Sequence, residues 1–354
     1  MMHRRTLLTG LALAPFAGLL AAEKKERLRV AQIGTSHAHA AGKMDALRSL
    51  PDLYDVVGFA EPIASRQAGA QKAKSFAGLK YLTEAEILAD PSIRVVVIET
   101  TLEDSARAAF AALKAGKHIH LDKPGAEKHA DFVALRHDAA EKGLTVQMGY
   151  MLRYNPGIQL LFRAVKEGWL GDVMEIDASM GKLLDEAGRK RFAQIPGGGM
   201  VELACHLVDT VVTLMGPPLS VQAFGNATRA PQDTFVDNQL AVLTYPKATV
   251  TIRCNHADPF GGPNRTIIVR GTKGDMEIRP LESGKGVLRL DEPREGGRFK
   301  KGENPFALEV PKGRYDEEFR DLHRVLVNGA PFAWSADHDI SVHATALRAA
   351  GLTP

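Results

Sequence analysis

A chain of 354 residues, 45% hydrophobic and 25% charged, is long enough for two domains that each bury a core. A formal charge of +3 and an aromatic content of 6% exclude a strongly basic, base-stacking surface for nucleic acid and an electrostatic hold on an anionic membrane. The two cysteines, Cys205 and Cys254, are too few for a disulfide framework and are expected to be buried thiols.

The first element is a leader. Residues 1–22 open on His3-Arg4-Arg5-Thr6-Leu7-Leu8 and run through an apolar stretch to Leu20-Ala21-Ala22. A basic stub, a short apolar stretch and small residues at its end make a secretory signal. The stretch is shorter than the ~20 residues a membrane-spanning helix needs. Pro15 interrupts it, so no stable membrane anchor is expected. The paired arginines resemble a twin-arginine signal, which exports folded proteins and implies a periplasmic or otherwise exported location. With Arg4 and Arg5 set aside the remaining charges nearly balance, so the partner is a small molecule not recruited by bulk charge.

From Leu28 the pattern alternates. Leu28 to Ile33, closed by Gly34, predicts a strand, and Met44, Leu47 and Leu50 mark the helix after it. Tyr54–Ala60 predicts a second strand, ending at Glu61. The β-branched run Ile93–Ile98 predicts a third, followed by a helix with Ala109, Phe110 and Leu113 that stops at Gly116. His118–Leu121 is a fourth strand. A helix carrying Phe132, Leu135 and Ala139 stops at Gly143, and Leu144–Met148 is the fifth strand. Such alternation over residues 27–150 implies an α/β fold with a doubly wound parallel sheet, a Rossmann-type dinucleotide-binding domain. Ligands of such sheets bind beyond the carboxyl ends of the strands.

The first turn reads Gly34-Thr35-Ser36-His37-Ala38-His39, with Ser36 and His39 where G-x-G-x-x-G has its second and third glycines. Gly34, Thr35, Ser36 and His37 are the expected cofactor contacts. Glu61, at the end of the second strand, is placed to accept both ribose hydroxyls and to repel a 2′-phosphate, which favours NAD over NADP. A nucleotide taken up in the cytosol fits a signal that exports folded protein. His37, His39, His118 and His120 have no acid or cysteine at ligand spacing, so no metal site is expected.

Three segments make a resemblance specific. Gly116-Lys117-His118, leading to Asp122-Lys123-Pro124, resembles the Gly-Lys-His…Glu-Lys-Pro segment of the Gfo/Idh/MocA oxidoreductases (glucose–fructose oxidoreductase and inositol dehydrogenase among them). Gly149-Tyr150-Met151-Leu152-Arg153-Tyr154-Asn155-Pro156 is similar to that family's entry into a second domain. Gly197-Gly198-Gly199, followed by Glu202, His206 and Asp209, is similar to its Gly-Gly-Gly…Asp-x-x-x-His-x-x-Asp helix. After the third strand the family has Thr-Pro-Asn; here Glu99-Thr100-Thr101-Leu102 stands, with Thr100 a further expected cofactor contact.

The resemblance implies a second domain, residues 151–354, with an open, mostly antiparallel sheet, and assembly as a homodimer or homotetramer. Residues 173–178, 239–244, 249–254 and 266–270 are strand-like, 284–303 is expected to be mostly surface loop, and 315–328 a helix closed by Gly329. The resemblance also implies a sugar, sugar derivative or cyclitol as substrate. Lys123, beside Pro124 where the nicotinamide would lie, is expected to lose its proton easily and act as base. Glu202, His206 and Asp209, at i, i+4 and i+7, are expected on one helix face, the acid favouring protonation of the imidazole. Arg153 and Asp209 are expected to meet substrate. A glycoside hydrolase or lyase working by transient oxidation is the alternative, and a binding protein that has lost the dinucleotide is a third reading, motivated by Ser36 and His39.

Overall fold

The computed structural model describes residues 26–354; the leader expected at residues 1–22 lies outside the described residues. Five strands, β1 (Leu28–Ile33), β2 (Tyr54–Ala60), β3 (Val95–Ile98), β4 (His118–Leu121) and β5 (Val146–Met148), form a parallel sheet in the order β2-β1-β3-β4-β5. The helices between them are α1 (Ala40–Ser49), α2 (Ala64–Lys72), α3 (Glu84–Ala89), α4 (Leu102–Lys114) and α5 (His129–Glu141). β3 is Val-Val-Val-Ile and wholly buried, as a central strand covered by helices on both faces must be. Thr83 and Glu86 close a capping box at the start of α3. The strand order reverses between β1 and β3, so a crevice opens beyond their carboxyl ends.

The helix α6 (Pro156–Lys166) leads away from this sheet, capped by Asn155 with Pro156 at its first position. Eight strands follow: β6 (Val173–Gly181), β7 (Ser220–Asn226), β8 (Asn238–Thr244), β9 (Thr249–Asn255), β10 (Thr266–Gly271), β11 (Gly274–Ile278), β12 (Lys285–Leu290) and β13 (Gly302–Ala307). Their order is β13-β12-β11-β10-β6-β9-β8-β7, antiparallel except for the parallel pair β6–β9. The helices α7 (Glu186–Ala193), α8 (Gly198–Glu202), α9 (Cys205–Met215), α10 (Asp316–Asn328) and α11 (Ala336–Ala349) complete the chain.

Two expectations are corrected here. The loop expected over residues 284–303 is part strand: β12 fills 285–290 and β13 begins at Gly302, register-paired from Lys285–Ala307 to Leu290–Gly302, with 291–301 connecting them. Charged residues such as Arg289 and Glu303 lie on the solvated face of this edge pair, where they form ion pairs, and that polarity hid the strands. The triple-glycine helix is also not continuous. α8 ends at Glu202, and Ala204 N–H reaches back five residues to Gly199 O at 3.0 Å before α9 starts. Cys205 and Cys254 are buried free thiols, as expected.

Candidate active site

The loop after β1 is held from both sides. Gly34 has φ +91°, and a Cβ there would lie 2.7 Å from the backbone of Glu99 and Thr100, so only glycine fits this turn. Ser36 and His37 N–H both donate to Glu99 O, at 3.2 and 3.1 Å. Thr35 donates its N–H and its hydroxyl to Glu61 Oε2, at 2.9 and 2.5 Å, and Ile63 N–H donates to Oε1 at 2.8 Å. Glu61 is only 2% exposed, and Arg66 Nε lies 3.7 Å from it. The ribose acceptor expected from sequence is therefore folded inward and braces the loop through Thr35.

A cavity of about 250 Å³ opens beyond the carboxyl ends of β1, β3 and β4. Ser36, His37, Thr100, Lys123 and Pro124, all expected contacts, line it, with Gly34 shaping the turn beside it. Across the cavity stand Glu202 and two residues that sequence reasoning missed, Arg191 and Gln194, from the segment around the end of α7. The hydroxyl of Ser36 is buried and has no hydrogen-bond partner among the described residues. A donor left open at this crevice suits a phosphate or amide oxygen, so the residues present fit a dinucleotide.

Lys123 Nζ donates to Glu202 Oε1 at 2.9 Å and to Glu202 O at 2.6 Å. The second bond exists because the helix breaks after Glu202 and leaves that carbonyl without a continuous helix above it. Burial works against the ammonium, but the Glu202 carboxylate outweighs it and raises Lys123 above the ordinary lysine range. The lysine is thus held charged, opposite to the expectation that it sheds its proton easily. Burial likewise opposes ionised Glu202, and Lys123 prevails, lowering it to about 2.

Glu202 pairs with Lys123 and not with His206, so the expected acid–imidazole pair is absent. His206 is buried, does not line the cavity, and leaves Nδ1 without a partner. Burial, reinforced by the Lys123 charge, holds it well below the usual histidine range, so the imidazole is neutral rather than protonated. Arg153 and Asp209 are also corrected. Arg153 donates from Nε and Nη2 to Asp209, the latter at 2.6 Å, and from Nη2 to Asp339 at 2.6 Å. Asp209 is fully buried and Asp339 also meets Arg136 of α5 at 3.1 Å. These groups neutralise one another inside the protein and clamp α5, α9 and α11 together; they do not face substrate.

The four histidines part company. His118 Nδ1 accepts from Thr145 N–H, and His120 lies buried between Lys43 and Gln147. His37 and His39 instead converge on Asp122, which the fold brings from the end of β4: His39 Nδ1 is 3.0 Å and His37 Nδ1 3.4 Å from Asp122 Oδ2. The acid that the linear spacing lacked is supplied by a residue 83 positions further along. Asp122 directly precedes Lys123-Pro124 in the segment that carries the family resemblance, and that adjacency is the signal for it in the sequence.

Comparisons with known proteins agree with the fold. Residues 28–150 match the oxidoreductase family model described as an NAD-binding Rossmann fold, and residues 158–277 match the Gfo/Idh/MocA C-terminal domain. The chain is 27% identical to trans-1,2-dihydrobenzene-1,2-diol dehydrogenase of Bos taurus, over 58% of this chain and 62% of that protein. It is 26% identical to scyllo-inositol 2-dehydrogenase (NADP+) of Bacillus subtilis (strain 168), over 51% of each. It therefore spans between half and two thirds of these two relatives' lengths. A levoglucosan dehydrogenase solved with NADH and levoglucosan superposes with a TM-score of 0.77 at 21% identity, covering 91% of this chain and 95% of that one. Two matched models covering most of both sheets show that the chain belongs to the Gfo/Idh/MocA family of oxidoreductases.

Proposed function

We propose that this oxidoreductase is an NAD-dependent dehydrogenase that oxidises a secondary hydroxyl of a sugar, sugar derivative or cyclitol outside the cytosol. The observation that carries the reading is the Lys123–Glu202 pair facing a cavity at the strand-order reversal. The names of the relatives, dehydrogenases of a diol, an inositol and levoglucosan, support the substrate class. When bound, a nicotinamide supplies the hydride acceptor. Gly34, Ser36, His37, Thr100 and Pro124 would hold it. Charged Lys123 donates hydrogen bonds to the reacting oxygen and stabilises negative charge developing there. His206, the base expected from the sequence motif, lies buried behind the cavity lining, so it takes the proton only through a relay such as a water in the cavity.

Mixing the protein with NAD and a panel of polyols and glycosides tests the reading. Net formation of NADH is expected. Release of an aglycone without NADH would instead mark a redox-neutral hydrolase or lyase. NAD should bind more tightly than NADP because the Glu61 carboxylate, although folded onto Thr35, still stands at the end of β2 and would repel a 2′-phosphate there, a contrast that Arg66 moderates. One like-charge contact is worth about tenfold in affinity near a protein surface. Calorimetry with both nucleotides decides it, and equal affinities would remove Glu61 from the argument.

Export rests on Arg4, Arg5 and the apolar run to Ala22. Replacing both arginines by lysine should keep folded protein in the cytosol, and mature protein that still begins at Met1 would overturn the export reading. Assembly as a homodimer or homotetramer belongs to the same proposal. The outer face of the large sheet supports it, because Phe224 is 55% exposed there beside Leu240.

A further inference from the structure

We infer that His37, His39 and Asp122, with Glu99 beneath them, form a binding site for one divalent transition-metal ion of the zinc class. The three ligand groups come from the turn after β1 and from the end of β4, and one ligand atom from each lies within 4.8 Å of the others. Metal bonds of about 2.0–2.1 Å at tetrahedral angles put neighbouring ligand atoms about 3.3 Å apart. The observed separations match: 3.0 Å for His39 Nδ1 to Asp122 Oδ2, 3.4 Å for His37 Nδ1 to the same oxygen, and 3.3 Å for His37 Nδ1 to Glu99 Oε2.

A second observation points to a cation. Glu99 is fully buried, and neither of its carboxylate oxygens has a hydrogen-bond partner among the described residues. A buried carboxylate without donors either keeps its proton or gains from a cation that compensates its charge. The nearby ammonium groups are committed elsewhere, Lys123 to Glu202 and Lys43 to Glu318. Asp122 and Glu99 are two buried acids that share the His37 imidazole, a cluster that one dication would balance.

The surroundings have the form of a supported site. Glu202 Oε1 stands 3.7 Å from His37 Nε2, which has no hydrogen-bond partner among the described residues, so a carboxylate lies beside the ring without yet bonding it. Asp122 Oδ1 accepts Lys123 N–H at 2.7 Å, which leaves Oδ2 turned toward the histidines. His37 and Asp122 both line the cavity, so the remaining coordination position is open to water or to a substrate oxygen. Two imidazoles with carboxylate oxygen suit zinc and its neighbours better than calcium or magnesium, which favour oxygen-only shells.

The inference does not depend on dinucleotide binding, so it is tested without nucleotide. The full-length chain is stripped with a chelator, exchanged into clean buffer and titrated calorimetrically with zinc chloride. One ion per chain is expected, with His39→Ala and Asp122→Asn each weakening binding by about a hundredfold or more, the scale that even supporting residues of metal sites reach. His118→Ala, whose ring serves Thr145, should bind as wild type does. Circular dichroism checks the fold of each variant; should either fail it, Glu99→Gln and the visible bands of bound cobalt, which report imidazole ligation, decide in its place. Absence of stoichiometric binding by the wild type, unchanged affinity in the two ligand variants, or a cobalt spectrum without imidazole would overturn the site. NADH titration of the same sample is scored separately, so loss of one reading leaves the other standing.

Discussion

Replacing Lys123 by Met should lower turnover by about a hundredfold or more, the scale of groups that stabilise charge or move protons at the reacting atoms. NADH affinity should change less, because the loop from Gly34 to His37 and the β3 end remain. Glu202→Gln should lower turnover less than Lys123→Met, since the amide still accepts the bond but removes the countercharge. His206→Ala separates two roles: a large loss makes it the proton acceptor, whereas near-wild-type turnover leaves α9 as mere support. At this scale the sequence carried the identity of Lys123 and Pro124 through their motif. It did not carry their state. Whether a lysine is held charged depends on Glu202, which lies 79 residues away and whose partner no spacing rule names. Arg153 and Asp209 misled for a related reason: a buried pair and a substrate contact use the same residue types, and only burial tells them apart.

The break between α8 and α9 is the element on which the site turns. Helical periodicity placed Glu202, His206 and Asp209 on one face, but the five-residue return from Ala204 to Gly199 shifts the register and frees the Glu202 carbonyl for Lys123. Gly199 permits it: a Cβ there would fall 2.1 Å from His256 Nε2 and 3.0 Å from Cys254 Sγ. Gly199→Ala should therefore destabilise the protein by about 1–3 kcal/mol, the cost of overpacking, and lower turnover by displacing Glu202; thermal melts and kinetics together check this.

Asp209 on α9 gives a stability test with a defined sign. Burial raises its pKa, Arg153 more than offsets this, and the net effect is a value below the ordinary 3.8. Its contribution is accordingly full above about pH 3.8 and is lost as pH falls through the lower folded value. Asp209→Asn should cost about 3 kcal/mol near neutrality, at the lower end for a broken buried pair because Asp339 still meets Arg153. The gap between variant and wild type should shrink on acidification below that range; a gap that widens there contradicts the assignment. The parallel strands were legible because their apolar runs are continuous, whereas β12 and β13, half-solvated at an edge, were not.

Across the whole molecule, the C-terminal helices tie the two sheets together. Tyr54 OH donates to Phe319 O at 2.6 Å, Gln147 Nε2 donates to Glu318 O at 2.8 Å, and Arg136 meets Asp339, so α10 and α11 close against the Rossmann half. Sequence assigned residues 151–354 to one domain because helix periodicity says which face is buried but not against which partner. On the outer face of the eight-stranded sheet, Phe224→Glu should shift the protein toward monomer in light scattering; an unchanged mass, or a wild type already monomeric, would remove that face as the interface. The most direct test of the account as a whole is single-turnover hydride transfer from an accepted polyol to NAD, comparing wild type with Lys123→Met at matched nucleotide saturation. The account predicts NADH formed stoichiometrically by the wild type and at least about a hundredfold more slowly by the variant, with nucleotide affinity largely kept. Equal rates in the two proteins, or no NADH from the wild type with any polyol, would contradict it.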